Sequence, residues 1–200
     1  MNGKNEVNPW FSIWIAPEKT IDKVLEKRST LFLFYLSSIW FLQIFFTLMS
    51  YYEIKFPIHY TVSILIAIFL SPLIGYLGFY VFSFFLDLTG KWLKGKSDKN
   101  ELIFAFAWSR IPVIIDLIMW FVLSFFLSEL IFSRKGVSST IYFINLVALI
   151  TFIWSSVLLI ACVKKLQKFS YLKAFLNVLF TYFLILSLVL IFVIIIYNVI

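Results

Sequence analysis

Residues 174–197 read AFLNVLFTYFLILSLVLIFVIIIY and contain no charged side chain. An α-helix rises about 1.5 Å per residue, so a run of this length can cross a hydrocarbon layer of about 30 Å. Lipid offers the backbone no hydrogen bonds, and a helix satisfies its own amides and carbonyls. The stretch therefore predicts a transmembrane helix and indicates that the bilayer is part of the solvent of this fold.

Four more apolar runs of similar length precede this one. The five runs are residues 31–52, 60–86, 111–132, 141–163 and 174–197. Hydrophobic residues make up 62% of the chain, against about 45–50% in soluble domains. We therefore expect an all-α polytopic membrane protein, with a cytoplasmic segment over residues 1–30 and a bundle of five transmembrane helices over residues 31–200.

Lysine and arginine residues are distributed unequally between the two sets of connections. The N-terminal segment and the second and fourth connections carry 14 of them, and the first and third connections carry three. Basic residues near span ends are retained in the cytoplasm, which predicts a cytoplasmic N-terminus and an external C-terminus. The net charge of +7 is thus attributed to topology and to anionic lipids at the inner face, not to nucleic acid.

The N-terminal segment has the pattern of an interfacial anchor. NPWFSIWIAP places Trp10 and Trp14 four residues apart and ahead of Pro17. Tryptophan favours the headgroup region, and proline suits the first turn of a helix. The helix that follows carries its apolar residues on one face, namely Ile21, Val24 and Leu25. We expect this amphipathic helix to lie on the inner membrane surface; docking of a partner helix on the same face is the alternative.

A phosphate-loop spelling occurs in the second connection, where residues 90–97 read GKWLKGKS. Phosphate binding by such a loop requires a preceding buried strand and a following helix, so that backbone N–H groups converge on the phosphates. This stretch instead follows an apolar span, and no strand pattern accompanies it. We therefore predict that it binds no nucleotide.

A helix start and a helix break follow this stretch. Asp98 and Glu101 have the spacing of a capping box, which predicts that a helix begins here. Pro112 lacks an N–H and would free the carbonyl of Trp108, four residues earlier. The sequence therefore predicts a kink at the beginning of the third span, beside Arg110.

Small and polar residues inside the spans point to packing and to one candidate functional group. Ser71 and Gly75 form a small-x-x-x-small pair that permits close helix approach. Asp116 is the charged residue that lies well inside a span, since Glu129 lies at the outer boundary of the third run, and a charge at that depth is a functional candidate by default. A structural ion pair with Arg110 or Lys164 competes with a role in transport. The other polar residues are expected at different depths, without forming one site: Gln43, Asn145 and Asn177.

Catalytic chemistry has little support in the sequence. The chain holds one histidine, His59, and one cysteine, Cys162. A single cysteine excludes an intrachain disulfide and a cysteine metal cluster. We therefore expect no enzyme activity, no cofactor and no metal site.

Three features of the chain resemble the Yip (Ypt-interacting protein) domain family of five-span membrane proteins, in its bacterial branch. They are the N-terminal NPWFSIWIAPEKTI, the second connection GKWLKGKSDKNELIFAFAWSRIP, and the five spans with long loops on the inner side. The resemblance covers nearly the whole chain from about Asn8. The longer polar N-terminus and the Asp-Leu-Tyr-Gly-Pro-type motif of eukaryotic members are missing, so binding of Rab-type GTPases is not transferred.

The resemblance implies an accessory protein of a bacterial cytoplasmic membrane that binds and organises other membrane proteins, such as subunits of an ABC-type exporter. A homo-oligomer remains open, and a transporter or channel built on Asp116 is the alternative function. The residues expected to bind partners or to build the motifs are Trp10, Trp14, Pro17, Gly90, Gly95, Trp108, Arg110 and Pro112.

Overall fold

The structure, a computed structural model, describes residues 8–52, 60–126 and 138–199. The regular structure in these ranges is entirely helical. The helices are α1 (Pro9–Ser12), α2 (Pro17–Lys27), α3 (Thr30–Tyr52), α4 (Tyr60–Trp92), α5 (Lys99–Ser109), α6 (Val113–Phe126), α7 (Ser138–Gln167) and α8 (Tyr171–Val199). His59 lies outside the described residues.

Four of these helices are long and apolar enough to cross a membrane: Thr30–Leu48 in α3, Val62–Trp92 in α4, Tyr142–Gln167 in α7 and Tyr171–Asn198 in α8. The pair α5 and α6 supplies a fifth span if the two are counted as one broken helix. The expected all-helical, polytopic membrane fold is therefore confirmed.

The break between α5 and α6 lies where proline predicts it. The two helices meet at an angle of 46°, and residues 110–112 between them form turns. The carbonyl of Trp108 accepts the N–H of Ile111 at 3.4 Å, which replaces the bond that Pro112 cannot donate. At the other end of α5, Asp98 Oδ1 accepts the N–H of Glu101 at 3.0 Å, as the capping pattern predicts.

The described chain divides into two compact units. The first contains the described residues 8–28, 79–106 and 156–199. Its core includes a cluster of aromatic rings in which Phe82 stacks on Phe106 with 3.8 Å between ring centroids. Most of the apolar face of α2 is also buried. Ile21 and Val24 are covered by other parts of the protein, and Leu25 is half-buried. This face is therefore a packing surface of the chain itself; the position of α2 on a membrane surface stays a prediction.

The second unit contains the described residues 29–52, 60–78, 107–126 and 138–155. Its core brings α3 and α6 together, with Phe46 stacked on Trp120 at 6.2 Å between centroids. The buried apolar residues are Leu42, Phe46, Ala67, Leu117, Trp120 and Ile144. On α4, a Cβ at Gly75 would overlap the backbone carbonyl of Ser37 on α3. The close approach predicted for the pair Ser71 and Gly75 is therefore confirmed at Gly75.

Candidate functional site at two joined helix ends

The stretch GKWLKGKS forms the end of helix α4. The N–H of Gly95 donates to the carbonyl of Gly90 at 2.8 Å, and the N–H of Lys94 donates to that of Lys91 at 3.0 Å. Lys94 itself has a left-handed backbone, with φ of 65°. These bonds are those of a Schellman cap, which closes the carbonyl end of a helix. A phosphate loop needs the opposite polarity, because it presents the N–H groups that begin a helix.

The side chain of Gln167, at the end of α7, holds this turn. Its Oε1 accepts the backbone N–H of Ser97 at 3.1 Å, and the residue is only 2% exposed. A Cβ at Gly90 or at Gly95 would overlap the Gln167 amide, and at Gly95 it would also lie 2.9 Å from the ring of Phe169. The two glycines are thus required for close approach to one buried amide.

Helix α7 ends in the same way as α4. Lys168 has a left-handed backbone with φ of 57°, and the N–H of Phe169 donates to the carbonyl of Lys164 at 3.0 Å. Gln167 therefore belongs to one capped helix end and binds the other. We call residues 90–97 together with residues 167–169 the joined turns.

A buried polar cluster lies beside the joined turns. Asn177 Nδ2 donates to the carbonyl of Leu86 at 3.1 Å and to Thr89 Oγ1 at 3.2 Å. Thr89 Oγ1 lies 2.8 Å from Thr181 Oγ1, so α4 and α8 are hydrogen-bonded side by side. Buried polar groups in an apolar setting fix helix register because an unpaired group is costly. This cluster is therefore a structural contact of α4 with α8.

The sequence singled out Gly90, Gly95 and Asn177, but it did not reveal that Gln167 brings the glycines together. A glutamine at the border of an apolar run looks like any solvated residue. Its partner, the backbone of Ser97, lies 70 residues earlier in the chain. The available signal was the pair of glycines flanking a lysine-rich turn, which indicates close approach without naming the neighbour.

We expect Gly95→Ala to lower the free energy of unfolding by about 1.5 kcal/mol, because the new methyl group displaces the Gln167 amide from Ser97. In a Gln167→Ala background, where the amide is missing, the same change should cost less than half as much. Thermal melting of the four proteins in one detergent measures both effects. Equal costs in the two backgrounds would show that the methyl group does not meet Gln167.

Helix α2 is fastened to α7 by charged groups. Lys164 Nζ lies 2.7 Å from Glu18 Oε1, and Lys165 Nζ lies 3.1 Å from Asp22 Oδ2. Pro17 begins α2, and its carbonyl is 3.9 Å from the buried Cys162 Sγ. The sequence-predicted residues Trp10 and Trp14 lie just before this helix and are half-buried.

The pair of Glu18 and Lys164 makes stability depend on pH. The hydrogen bond from Lys164 lowers the pKa of Glu18 below its ordinary 4.5, although partial burial opposes the shift. A carboxyl with a lowered folded pKa stabilises the protein above its unfolded pKa, and that stabilisation is lost as the pH falls through the folded value. We expect Glu18→Gln to remove about 0.5 kcal/mol at pH 7 and almost nothing in acid below that range. Melting at pH 7 and at low pH measures this. The exposed Glu26→Gln is the control, and an equal loss at both pH values would contradict the assignment.

Asp116 forms a hydrogen bond with a residue of another helix that the sequence did not connect with it. Gln43 Nε2 on α3 donates to Asp116 Oδ2 on α6 at 2.7 Å and lies 3.2 Å from Thr47 Oγ1. The sequence did not predict this hydrogen bond, which the packing of α3 on α6 makes possible. Asp116 is 1% exposed. Its Oδ1 and the Nε1 of Trp120, one turn later, have no hydrogen-bond partner among the described residues.

The residues around the helix break are buried as well. Trp108 and Arg110 are 4% and 5% exposed, and the ring of Phe32 packs edge-on against Trp108 at 6.2 Å. Pro112 lies in the turn that separates α5 from α6. A partner would not reach these side chains directly, so changes there act through the chain's own packing. Their expected role in partner binding stays a prediction.

Metal ligation finds no support in the part of the chain that the structure describes. No group of three or more histidine, cysteine, aspartate or glutamate residues is placed to hold an ion there. The polar side chains within the described spans include amides, hydroxyls and the buried carboxylates of Asp87 and Asp116. Such groups fix helix contacts or accept a proton or a small polar molecule.

Comparison with known proteins gives one match. A family model described as the Yip1 domain matches residues 11–194, which is most of the chain and includes every helix from α2 to α7. No curated protein and no solved structure matches.

Proposed function

The chain belongs to the Yip1 domain family, and from this premise we propose that it binds and organises other membrane proteins as an accessory subunit. The family resemblance suggests a subunit of an ABC-type exporter as the partner. The uneven distribution of basic residues supports a cytoplasmic membrane location with the N-terminus inside. The family and the apolar helices establish that the chain is a multi-pass membrane protein.

The observation that carries the proposal is the exposure of α8. Only 6% of its most apolar stretch is buried, whereas the corresponding stretches of α3, α4 and α7 are 28–33% buried. Every residue from Leu188 to Asn198 is exposed, so the other described residues cover no face of this C-terminal half of α8. Four of these side chains line a shallow groove: Phe192, Val193, Ile196 and Tyr197.

Lipid can cover such a surface, but it does not match a helix face as closely as another helix does. Association of helices in a membrane is driven by van der Waals packing, and a grooved aromatic and aliphatic face provides it. Phe192 and Tyr197 are 63% and 85% exposed, and both offer large rigid surfaces of the kind that dominate interfaces. We therefore assign the C-terminal half of α8 to the partner as its binding surface.

A photo-reactive amino acid in place of Phe192 tests this assignment in cells. We expect one discrete product that contains a second integral membrane protein, and we expect that protein to co-purify with the unmodified chain. Leu149 on α7 is exposed to a similar extent and is the matched control, from which we expect lipid adducts alone. Lipid adducts alone from position 192 as well would overturn the proposal, and a product that contains a second copy would replace it with homo-oligomerisation.

Transport is the second candidate function, and the environment of Asp116 is the observation that favours it. Asp116 Oδ1 and Trp120 Nε1 are buried and unpartnered within the described residues, and they share a helix face. An acceptor beside a donor suits a water molecule or a proton carrier. Reconstitution of the Asp116→Asn variant tests this. Loss of flux with unchanged folding would favour transport, and unfolding would favour a structural role.

A further inference from the structure

The joined turns carry three lysines that the described residues do not neutralise. Three lysines nearby are paired with carboxylates: Lys91 lies 2.6 Å from Asp87 Oδ2, and Lys164 and Lys165 bind acidic residues of α2. The side chains of Lys94, Lys96 and Lys168 have no hydrogen bond or ion pair with any described residue. Three positive charges on one short surface repel each other unless an anion lies between them.

Backbone geometry fixes these lysines with respect to one another. Lys94 and Lys168 each occupy the left-handed position at the end of a helix, with φ of 65° and 57°. Lys96 lies between Gly95, which contacts the Gln167 amide, and Ser97, which donates to it. Because Gln167 directly precedes Lys168, all three lysines are anchored around one buried side chain.

The depth of the joined turns is given by the helices that meet there. The apolar spans Val62–Trp92 and Tyr142–Gln167 end at them, and the span Tyr171–Asn198 begins two residues beyond. Three spans that end at one level define the boundary between hydrocarbon and headgroups. Trp92, Tyr171 and Leu172 are exposed at this level, at 58%, 61% and 67%, and offer the aromatic and apolar surface typical of that boundary.

We propose that the joined turns bind the phosphate of an anionic phospholipid headgroup, held by Lys94, Lys96 and Lys168. The lysine ammonium groups supply charge at the depth of lipid phosphates. The exposed Trp92 and Leu172 contact the glycerol and upper acyl region. A free phosphate or a soluble acidic protein would make no use of these apolar side chains.

Two features oppose anion binding, and the lysines outweigh both. Helix C-termini carry roughly half a negative charge each, and Asp98 lies beside the turn, where it caps α5. Three full positive charges against one carboxylate and two partial charges leave the surface positive. The capping bonds of both turns also occupy the last helical carbonyls.

Purified full-length protein with bound lipid removed tests the proposal. The probes are dioctanoyl phosphatidylglycerol, dioctanoyl phosphatidylcholine and inorganic phosphate, and native mass spectrometry gives the bound fraction. A lysine near the membrane surface contributes about fivefold in affinity. We expect the triple variant K94Q/K96Q/K168Q to bind phosphatidylglycerol at least tenfold more weakly, whereas K94R/K96R/K168R keeps its affinity.

A matched triple change separates a site from diffuse charge. K19Q/K23Q/K27Q on α2 removes the same number of positive charges, and we expect less than a twofold change. An equal loss in both triple variants would overturn the proposal, as would equal binding of phosphatidylcholine. Competition by inorganic phosphate at similar affinity would overturn the assignment to lipid. Melting of each lipid-free variant verifies folding; if the glutamine triple fails to fold, K96Q against K23Q decides, with at least a threefold loss expected for K96Q alone.

Discussion

Gly75→Ala should destabilise the protein by about 3 kcal/mol, or roughly 6–12 °C in melting temperature for a chain of this size. The added Cβ would overlap the carbonyl oxygen of Ser37 and lie 2.5 Å from the carbonyl carbon. Both atoms belong to the backbone of α3, so no side-chain rotation relieves the overlap. The helices α3 and α4 would have to separate, which removes contacts along their length. Melting in a mild detergent measures the loss.

Leu77→Ala is the control for this experiment. It lies two residues further along α4 and faces away from protein, with 61% of its surface exposed. Truncation there should change stability by less than about 0.5 kcal/mol. If Gly75→Ala melts with the parent protein, α3 and α4 do not touch at this level.

Gln43→Leu should cost about 2–3 kcal/mol, because it leaves the buried carboxyl of Asp116 without the amide that binds it at 2.7 Å. Asp116→Leu should cost about 1 kcal/mol, since Gln43 keeps Thr47 as a neighbour at 3.2 Å. The double variant should recover to within about 1 kcal/mol of the parent, because two leucines can pack between α3 and α6. A double-mutant cycle of unfolding free energies measures the coupling.

Asp116→Asn is the conservative control in this cycle. The asparagine has the same shape, and its amide oxygen can still accept the Gln43 N–H, so the change should cost less than about 1 kcal/mol. Additive costs for Gln43→Leu and Asp116→Leu would show that the two side chains do not stabilise each other. Such a result would return Asp116 to the list of unexplained intramembrane groups.

The long apolar runs in the sequence predicted the fold well, because every segment in lipid must satisfy its own backbone hydrogen bonds and does so as a helix. The run at residues 174–197 corresponds to α8 at Tyr171–Val199. The run at residues 60–86 was too short, because α4 continues to Trp92. Polar residues in the sequence mark where the hydrocarbon region ends. The helix continues beyond that point and is closed by the cap at Lys94, whose backbone is left-handed.

Pairings between distant segments were the part that the sequence could not supply. Pro112 and Asp98 act within a few residues, so their effects could be predicted from local chemistry. Gln43 and Asp116 are 73 residues apart, and only the packing of α3 on α6 brings them together. The letters of GKWLKGKS match a phosphate loop, but they do not specify the direction of the helix, and here they close the carbonyl end of α4.

Lys94 and Lys168 also bear on how a more stable version of this protein could be engineered. Glycine adopts a left-handed backbone without the penalty of about 1 kcal/mol that an L-side chain incurs there. Both lysines are exposed, so replacing them with glycine would leave every helix contact intact. At each of these two positions the natural chain thus carries a charged lysine at a cost in backbone free energy that glycine would avoid. A thermostabilised variant made at these positions would be a sturdier protein with a less basic surface.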